Sequence, residues 1–361
     1  MVTTISNTVN AFLIPHIKML IEDGNQVDVA FRVEQEVSSQ LFKLGATVYE
    51  IPFSRKIYKN KLIKLVKQMR ELIKNNNYDI VHTHTPIASA IVRLACKDLP
   101  HTKVFYTAHG FHFYRGAPKI NWLVYYPIEK YLSRFTDKII TINSEDYCIA
   151  KKFNANEVVK INGVGFDSNK IDRIKFNTSN LKRKLNIDEK QFVLLSVGEL
   201  NKNKNHELVI RALSEFPCTN IKYIICGEGP LKLRLKKLVT ELKLENVVEF
   251  QGFRRDVLEY YNIADIFIFP SFREGLSVSM MEAMSFGLPI LASNIRGNSD
   301  LIDSGKGGFL FQPSDDKELL KLMLVLIENE NMRNEFGEYN ANKVLEYSTS
   351  EVLKEMKKIY L

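Results

Sequence analysis

Short, nearly continuous apolar runs alternate with helical periodicities along the whole chain, and this alternation constrains the fold more than any single residue does. Residues 27–31, 78–82, 103–107 and 138–142 read as strands, with residues 61–74 and 87–96 as helices between them. A strand apolar at successive positions is buried on both faces, as in a parallel sheet covered by crossover helices. The rhythm breaks over residues 163–188, a polar stretch, and the domain boundary is expected there. A second series follows, with strands at 191–197, 221–226, 247–250 and 265–270 and helices at 206–216, 231–242 and 256–263. A length of 361 residues suits about two domains. Two consecutive α/β domains are expected, at 1–165 and 166–345, with 346–361 a terminal helix able to return to the first domain. The opening Met1-Val2-Thr3-Thr4-Ile5 is short for a first strand with a lead-in, which suggests a late start or a trimmed strand.

The formal charge of +8 is unevenly placed. Residues 1–165 hold 22 Lys and Arg against 14 Asp and Glu, whereas residues 166–361 hold 28 against 28. The halves are therefore expected to meet different partners. Cys96, Cys148, Cys218 and Cys226 form no CxxC pair and no metal-ligand spacing. They read as buried free thiols of a reducing compartment. With no charged-then-apolar leader and no run of about 18 apolar residues, the expected protein is cytosolic and soluble, free to touch a membrane from the side.

The segment richest in chemistry is Ser271-Phe272-Arg273-Glu274-Gly275-Leu276-Ser277-Val278-Ser279-Met280-Met281-Glu282-Ala283-Met284. It leaves a strand and opens a helix expected to stop before Gly287-Leu288-Pro289. Strand, glycine loop and helix start make an anion site, because backbone N–H groups and the helix dipole converge there. Glu274 in the loop and Glu282 in the first turns would border a ligand whose phosphates sit at the helix start. Carboxylates accept paired hydrogen bonds, which suits sugar hydroxyls. A plainer reading competes: Ser279-Met280-Met281-Glu282 fits an S-x-x-E capping box, which would make Glu282 structural.

This stretch resembles the E-x7-E signature of retaining glycosyltransferases of family 4, and further motifs follow in that family's order. Tyr106-Thr107-Ala108-His109-Gly110 closes a strand of the first domain, and Ser196-Val197-Gly198-Glu199-Leu200 opens the second, followed by Lys204. Cys226-Gly227-Glu228-Gly229-Pro230 matches the G-x-G-P turn, and residues 252–256, with Arg254, match the loop beside the nucleotide base. The resemblance spans nearly the whole chain. It implies the α/β GT-B fold, two Rossmann-like domains with parallel sheets facing across a cleft. It further implies that Glu274 holds donor-sugar hydroxyls, that Gly275, Leu276 and Ser277 offer N–H groups to the diphosphate, and that Glu282 binds the ribose. Lys204 would neutralise charge developing on the leaving diphosphate, and His109 would hydrogen-bond the donor sugar. Gly198, Gly227 and Arg254 complete the implied donor site.

The chain departs from the family at two places. Glu199 stands where the family usually has Arg, so Lys202 or another basic residue would have to compensate. Thr4-Ile5-Ser6-Asn7-Thr8-Val9-Asn10 replaces a Gly-rich loop, making Asn7 and Thr8 candidate substrate contacts. His82 and His84, at a strand end, are expected to point to opposite faces or turn into the loop. They lack further ligands at zinc spacing, and no metal is expected. His84 is a candidate acceptor-side residue, with a structural histidine the competing reading. His16 and His112 suit either the core or the acceptor side.

Arg55, Lys56, Lys59, Lys61, Lys64, Lys67, Arg70 and Lys74 share a stretch with one acid, Glu71, while Leu62, Leu65, Val66, Met69, Leu72 and Ile73 recur at helical spacing. Such a helix is either a solvated outer face or an electrostatic dock on anionic lipid. No nucleic-acid motif accompanies it. The aromatic residues 110–116 and 122–126 would line an acceptor groove or interface, or belong to a helix at 122–131 packed on the sheet.

The run from His82 to Tyr126 resembles bacterial enzymes that build capsular or exopolysaccharide units on undecaprenyl diphosphate. The expected function is metal-independent, retaining transfer from a UDP-sugar, N-acetylhexosamine first, to a lipid-linked glycan. No cofactor beyond the UDP-sugar is implied. The expected place is cytoplasmic, peripheral at the inner face of the plasma membrane against an anionic surface. The rivals are a UDP-sugar 2-epimerase of similar fold and a non-catalytic nucleotide-sugar-binding subunit; the E-x7-E helix start argues against the epimerase.

Overall fold

The structure, a computed structural model, describes residues 1–54, 59–167, 178–217 and 220–361. The chain divides into two compact units, Met1–Gly165 with Thr349–Leu361, and Phe166–Ser348. The first holds β1 (Val2–Ile5), β2 (Asp28–Arg32), β3 (Thr47–Glu50), β4 (Ile80–Thr83), β5 (Lys103–Ala108), β6 (Lys138–Thr141) and β7 (Glu157–Lys160). They form one parallel sheet in the order β3-β2-β1-β4-β5-β6-β7. The second unit holds β8 (Phe192–Val197), β9 (Ile221–Cys226), β10 (Val248–Gly252), β11 (Ile266–Phe269), β12 (Ile290–Ser293) and β13 (Gly308–Phe311). These pair in parallel in the order β10-β9-β8-β11-β12-β13.

Each sheet winds outward from its first strand and reverses beside it, between β1 and β4 and between β8 and β11. In open α/β sheets ligands gather outside the carboxyl ends of the strands at that switch point. The apolar runs have the expected cause. Along β8, Leu194 enters a core cluster with Val209 and Ile225, while Val193 and Leu195 enter the opposite cluster with Phe267 and Ile290. Successive side chains leave a strand on opposite faces, so a sheet covered on both sides is apolar at every position. The first residues form β1, a central strand with as many residues as β4, and Val2, Thr3 and Thr4 are buried.

The basic helix is Lys59–Asn76. Leu65, Met69 and Ile73 are buried, and Leu62, Val66 and Leu72 pack beside them. Lys61, Lys64, Lys67 and Lys74 are exposed. Arg70 does not belong with them. Its guanidinium donates to the carbonyls of Ala95 (3.0 Å) and Leu94 (3.2 Å) and meets Asp98 at 3.3 Å. It thereby satisfies carbonyls that the helix Pro86–Cys96 leaves open at its end. Arg55 and Lys56 lie outside the described residues, as does Cys218. Cys96 and Cys226 are buried, which pushes both thiols up to about 12. Cys148 is exposed, contrary to expectation. It sits in the helix Ser144–Ala150, where neighbours in sequence point about 100° apart and share no face.

Arg93 is fully buried in the helix Pro86–Cys96 and pairs at 2.8 Å with Glu129 of the helix Lys119–Leu132, its guanidinium over the Tyr106 ring. Arg93→Met leaves Glu129 with its charge desolvated, and chemical denaturation is expected to show a loss of about 3–5 kcal/mol. Adding Glu129→Gln should recover part of that loss. The C-terminal helix Thr349–Tyr360 buries Val352 and Met356, and Lys138 donates to the Ile359 carbonyl at 2.8 Å.

Candidate functional site

In the second unit the candidate residues sit where β8 and β11 end. The loop after β8 carries Gly198 and Lys204, and the loop after β11 carries Glu274 and Gly275. Backbone and amide bonds tie these loops together. Phe272 N–H donates to the Asn203 carbonyl at 2.8 Å, the Asn203 side chain donates to the Arg273 carbonyl at 2.9 Å, and the Asn205 amide bridges the Pro270 and Pro313 carbonyls. The result is a 2.8 Å ion pair between Lys204 Nζ and Glu274 Oε1, with most of both side chains buried and the ammonium 4.4 Å from the centre of the Phe269 ring. A cation and a carboxylate fixed side by side suit a ligand with both phosphate and hydroxyl groups.

The helix beyond is Val278–Ser285, and its cap is Ser277, whose Oγ accepts the Met280 N–H at 3.4 Å. The competing Ser279–Glu282 capping box is not formed, since the helix is capped two residues earlier. Glu282 instead accepts the Tyr261 hydroxyl at 3.0 Å, and Leu276 packs on the core. Arg254 forms a two-pronged pair with Asp256, at 2.8 and 2.5 Å, which raises the guanidinium pKa and lowers that of the carboxyl. Glu199 is exposed and accepts the Asn201 amide at 2.9 Å.

The glycines have packing reasons. A Cβ on Gly227 would lie 1.9 Å from the Gly198 carbonyl oxygen, because the turn after β9 rests directly on the loop after β8. Gly198 N–H bonds the Cys226 carbonyl and Leu200 N–H that of Glu228.

Arg296 and Gly297 were not singled out by sequence, yet they border the same loop. Arg296 is buried with Nε on the Glu274 carbonyl at 3.3 Å, and a Cβ on Gly297 would fall 1.5 Å from the Gly275 oxygen. The available signal was that Ser293-Asn294-Ile295-Arg296-Gly297 also takes a strand end through a glycine into a helix, Asn298–Leu301.

In the first unit, β1 runs straight into the helix Ser6–Thr8, with Asn7 and Thr8 half-buried at the switch point. The buried Ser6 hydroxyl takes the N–H groups of Glu34 and Gln35. His84 follows β4, and His109 follows β5. His82 and His84 do not diverge: their rings lie 4.2 Å apart, since residues two apart on extended backbone share a face. His84 and His109 rings lie 5.6 Å apart. His82 is held by Thr107 Oγ1 at 2.7 Å and by the Tyr360 hydroxyl. His16 contacts the Val164 carbonyl at 3.1 Å. Both ring nitrogens of His84 and Nε2 of His109 are buried with no hydrogen-bond partner among the described residues. Burial, reinforced by the neighbouring histidines, holds His82 and His84 well below the usual range, and burial with His16 takes His109 down to about 4. At neutral pH each ring thus keeps one donor and one acceptor nitrogen. Among the described residues no group of three or more His, Cys, Asp or Glu is placed to hold a metal.

Two family models match: "Glycosyl transferase 4-like" over residues 2–143 and "Glycosyl transferases group 1" over residues 177–343. EpsD of Bacillus subtilis (strain 168), which bears a glycosyltransferase name, is 32% identical over 364 residues, covering 99% of this chain and 94% of its own. The chain is a glycosyltransferase. The Escherichia coli UDP-Gal:alpha-D-GlcNAc-diphosphoundecaprenol alpha-1,3-galactosyltransferase is 30% identical over 78% of this chain and 76% of its own. Among solved structures, Anabaena Alr3699/HepE in complex with UDP aligns at a TM-score of 0.81, with 19% identity and 99% of both chains covered. That likeness shows the fold, two Rossmann-like units of the GT-B class.

The lowered histidine pKa values lead to an expected loss of stability in acid. A histidine whose pKa falls on folding is protonated first in the unfolded chain. Stability is then full above about pH 6.5 and is lost as pH falls toward the folded value. For His109 that window runs from 6.5 to about 4. The thermal midpoint is expected to drop steadily between pH 7 and pH 5, with a shallower slope in His84→Gln. A midpoint flat over that range would contradict the neutral cluster.

Proposed function

We propose that this glycosyltransferase moves a sugar, N-acetylhexosamine first, from a UDP-sugar to an undecaprenyl-diphosphate-linked glycan in surface polysaccharide synthesis, with retention at the anomeric carbon. The observation that carries the reading is the Lys204–Glu274 pair, set at the β8/β11 switch point before a capped helix start. Lys204 and the N–H groups of residues 275–277 take the diphosphate, Glu274 takes sugar hydroxyls and Glu282 the ribose, with Gly198, Gly227 and Arg254 shaping the donor site. His109 and His84, neutral with free nitrogens, serve as hydrogen-bonding groups for sugar hydroxyls. Asn7 and Thr8 are proposed on the acceptor side.

The bond from anomeric carbon to diphosphate breaks as the acceptor hydroxyl attacks on the same face, and the hydroxyl proton passes to the leaving phosphate oxygen. Positive charge for that leaving group comes from Lys204 and the helix start, so no metal cofactor is required. The Escherichia coli relative's name supports a lipid-diphosphate acceptor, and its UDP-Gal donor favours a plain hexose as the second reading of the sugar. The proposed place of work is the cytoplasmic face of the plasma membrane. No helix among the described residues is long and apolar enough to cross a membrane.

Competition with unlabelled nucleotides tests the donor assignment. UDP is expected to inhibit strongly and GDP weakly, with activity surviving EDTA. Stronger inhibition by GDP, or abolition by EDTA, would remove the metal-independent UDP-sugar assignment.

A further inference from the structure

The helix Lys119–Leu132 has two faces of different fate. The inward face packs Tyr126 against Phe113 and Phe153, buries Leu132, and turns Glu129 onto Arg93. The outward face carries Ile120, Leu123, Val124, Pro127, Ile128 and Tyr131 at the i, i+3, i+4, i+7, i+8, i+11 positions of one stripe. These residues are open to solvent, Ile120 at 60%, Leu123 at 73% and Ile128 at 49% exposed. A surface helix normally carries polar residues there, and a contiguous apolar patch with a polar rim marks an interaction site.

The charges around the patch identify the partner. The helix has one acid, Glu129, and it faces the core. Its exposed charged side chains are Lys119 and Lys130, which flank one edge of the stripe, and exposed Arg115 and Arg134 stand beyond its two ends. Glu145 is engaged by the Arg115 N–H. Tyr131 on the stripe and the exposed Tyr125 add rings with one polar end, and the Arg134 guanidinium lies over the Tyr131 ring at 5.9 Å. Apolar stripe, cationic edge and amphipathic rings are the makeup of a helix lying in a bilayer interface.

We infer that the helix Lys119–Leu132 docks this protein on an anionic bilayer. Leu123, Val124 and Ile128 enter the acyl boundary, while Lys119, Lys130 and Arg134 meet lipid phosphates. This gives the proposed membrane location its contact element, and it does not rest on the donor chemistry, since no proposed substrate-binding residue lies on this helix. It also separates this helix from Lys59–Asn76, whose apolar stripe is occupied by the core and whose outer face carries lysines with the single exposed apolar side chain of Ile63 and no stripe.

The chain's single tryptophan, Trp122, lies on the packed side of this helix, its ring against Phe113 and Tyr126, so the variant Trp122→Phe/Val124→Trp moves the one tryptophan onto the stripe, where its fluorescence reports the contact. This full-length variant is titrated with vesicles of phosphatidylglycerol mixed equally with phosphatidylcholine. The emission is expected to shift to the blue and to be quenched by acyl chains brominated near the headgroup. Leu123→Ser with Ile128→Ser, and separately Lys119→Glu with Lys130→Glu, should each weaken co-flotation by at least about tenfold. Circular dichroism and melting should stay unchanged. Flotation of the Trp122→Phe/Val124→Trp variant without any change in its emission would overturn the inference and move the contact elsewhere. Unchanged binding of the serine variant would also overturn it. A lipid-free dimer abolished by the serine variant, with no vesicle binding, would assign the face to a second copy of the chain.

Discussion

Lys204→Met is expected to lower kcat by about 10²–10³-fold, the usual cost of removing one preorganised charge from a developing anion. Glu274→Gln should fall comparably, since the same loop position is proposed to hold the donor sugar. The pair also predicts how stability and activity separate. Both side chains are mostly buried at 2.8 Å, so either single variant strands a partly desolvated charge and lowers the melting midpoint. The double variant Lys204→Met/Glu274→Gln removes both charges and should regain much of the midpoint while staying inactive. Purified variants compared by steady-state kinetics and thermal melts check this directly. A double variant as active as the wild type would remove both residues from the chemistry.

Gly297→Ala is expected to cost about 10²-fold in kcat/KM, the scale of an ångström-sized displacement at a reacting site. Two causes act together. Gly297 has φ +78°, which an L side chain rarely adopts, and its Cβ would meet the Gly275 carbonyl oxygen at 1.5 Å. Gly275 is the residue proposed to present its N–H to the diphosphate, so the loop that must yield is the one that binds. Gly305 supplies the control. It has a similar φ of +85° with nothing within 4 Å of a Cβ. Gly305→Ala therefore carries only the backbone strain, about 1–2 kcal/mol, and should keep its kcat/KM. Equal losses in the two variants would show that strain, and not the contact with Gly275, governs the first.

Much of the architecture was legible because burial on both faces leaves a local mark. Residues 221–226 were read as a strand and form β9 with the same ends, and the strand read at 191–197 is β8 from Phe192. Helix ends were less legible: the helix read to residue 216 stops at Ser214, because caps depend on single backbone bonds. What pattern could not supply is contact between distant segments. Arg70 reads as one more cation in a basic stretch until the end of the helix Pro86–Cys96 is placed under it. Asn203, Asn205, Arg296 and Gly297 join the candidate site through backbone groups of another loop, which leave no periodic trace. The helix Lys119–Leu132 shows the same limit from the other side. Its aromatic composition marks two apolar faces, and only the tertiary structure decides which one the sheet covers.

The proposed reaction is transfer from a UDP-sugar to a lipid-linked acceptor with retention. The most direct measurement incubates the purified full-length protein with radiolabelled UDP-sugars and a synthetic GlcNAc-diphosphopolyprenol. The label is then partitioned between organic and aqueous phases, and the new linkage is assigned by NMR. The predicted result is label in the organic phase only when acceptor is present, joined with the same anomeric configuration as in the donor. Label confined to the aqueous phase as free or epimerised sugar, with acceptor present, would contradict the proposed transfer.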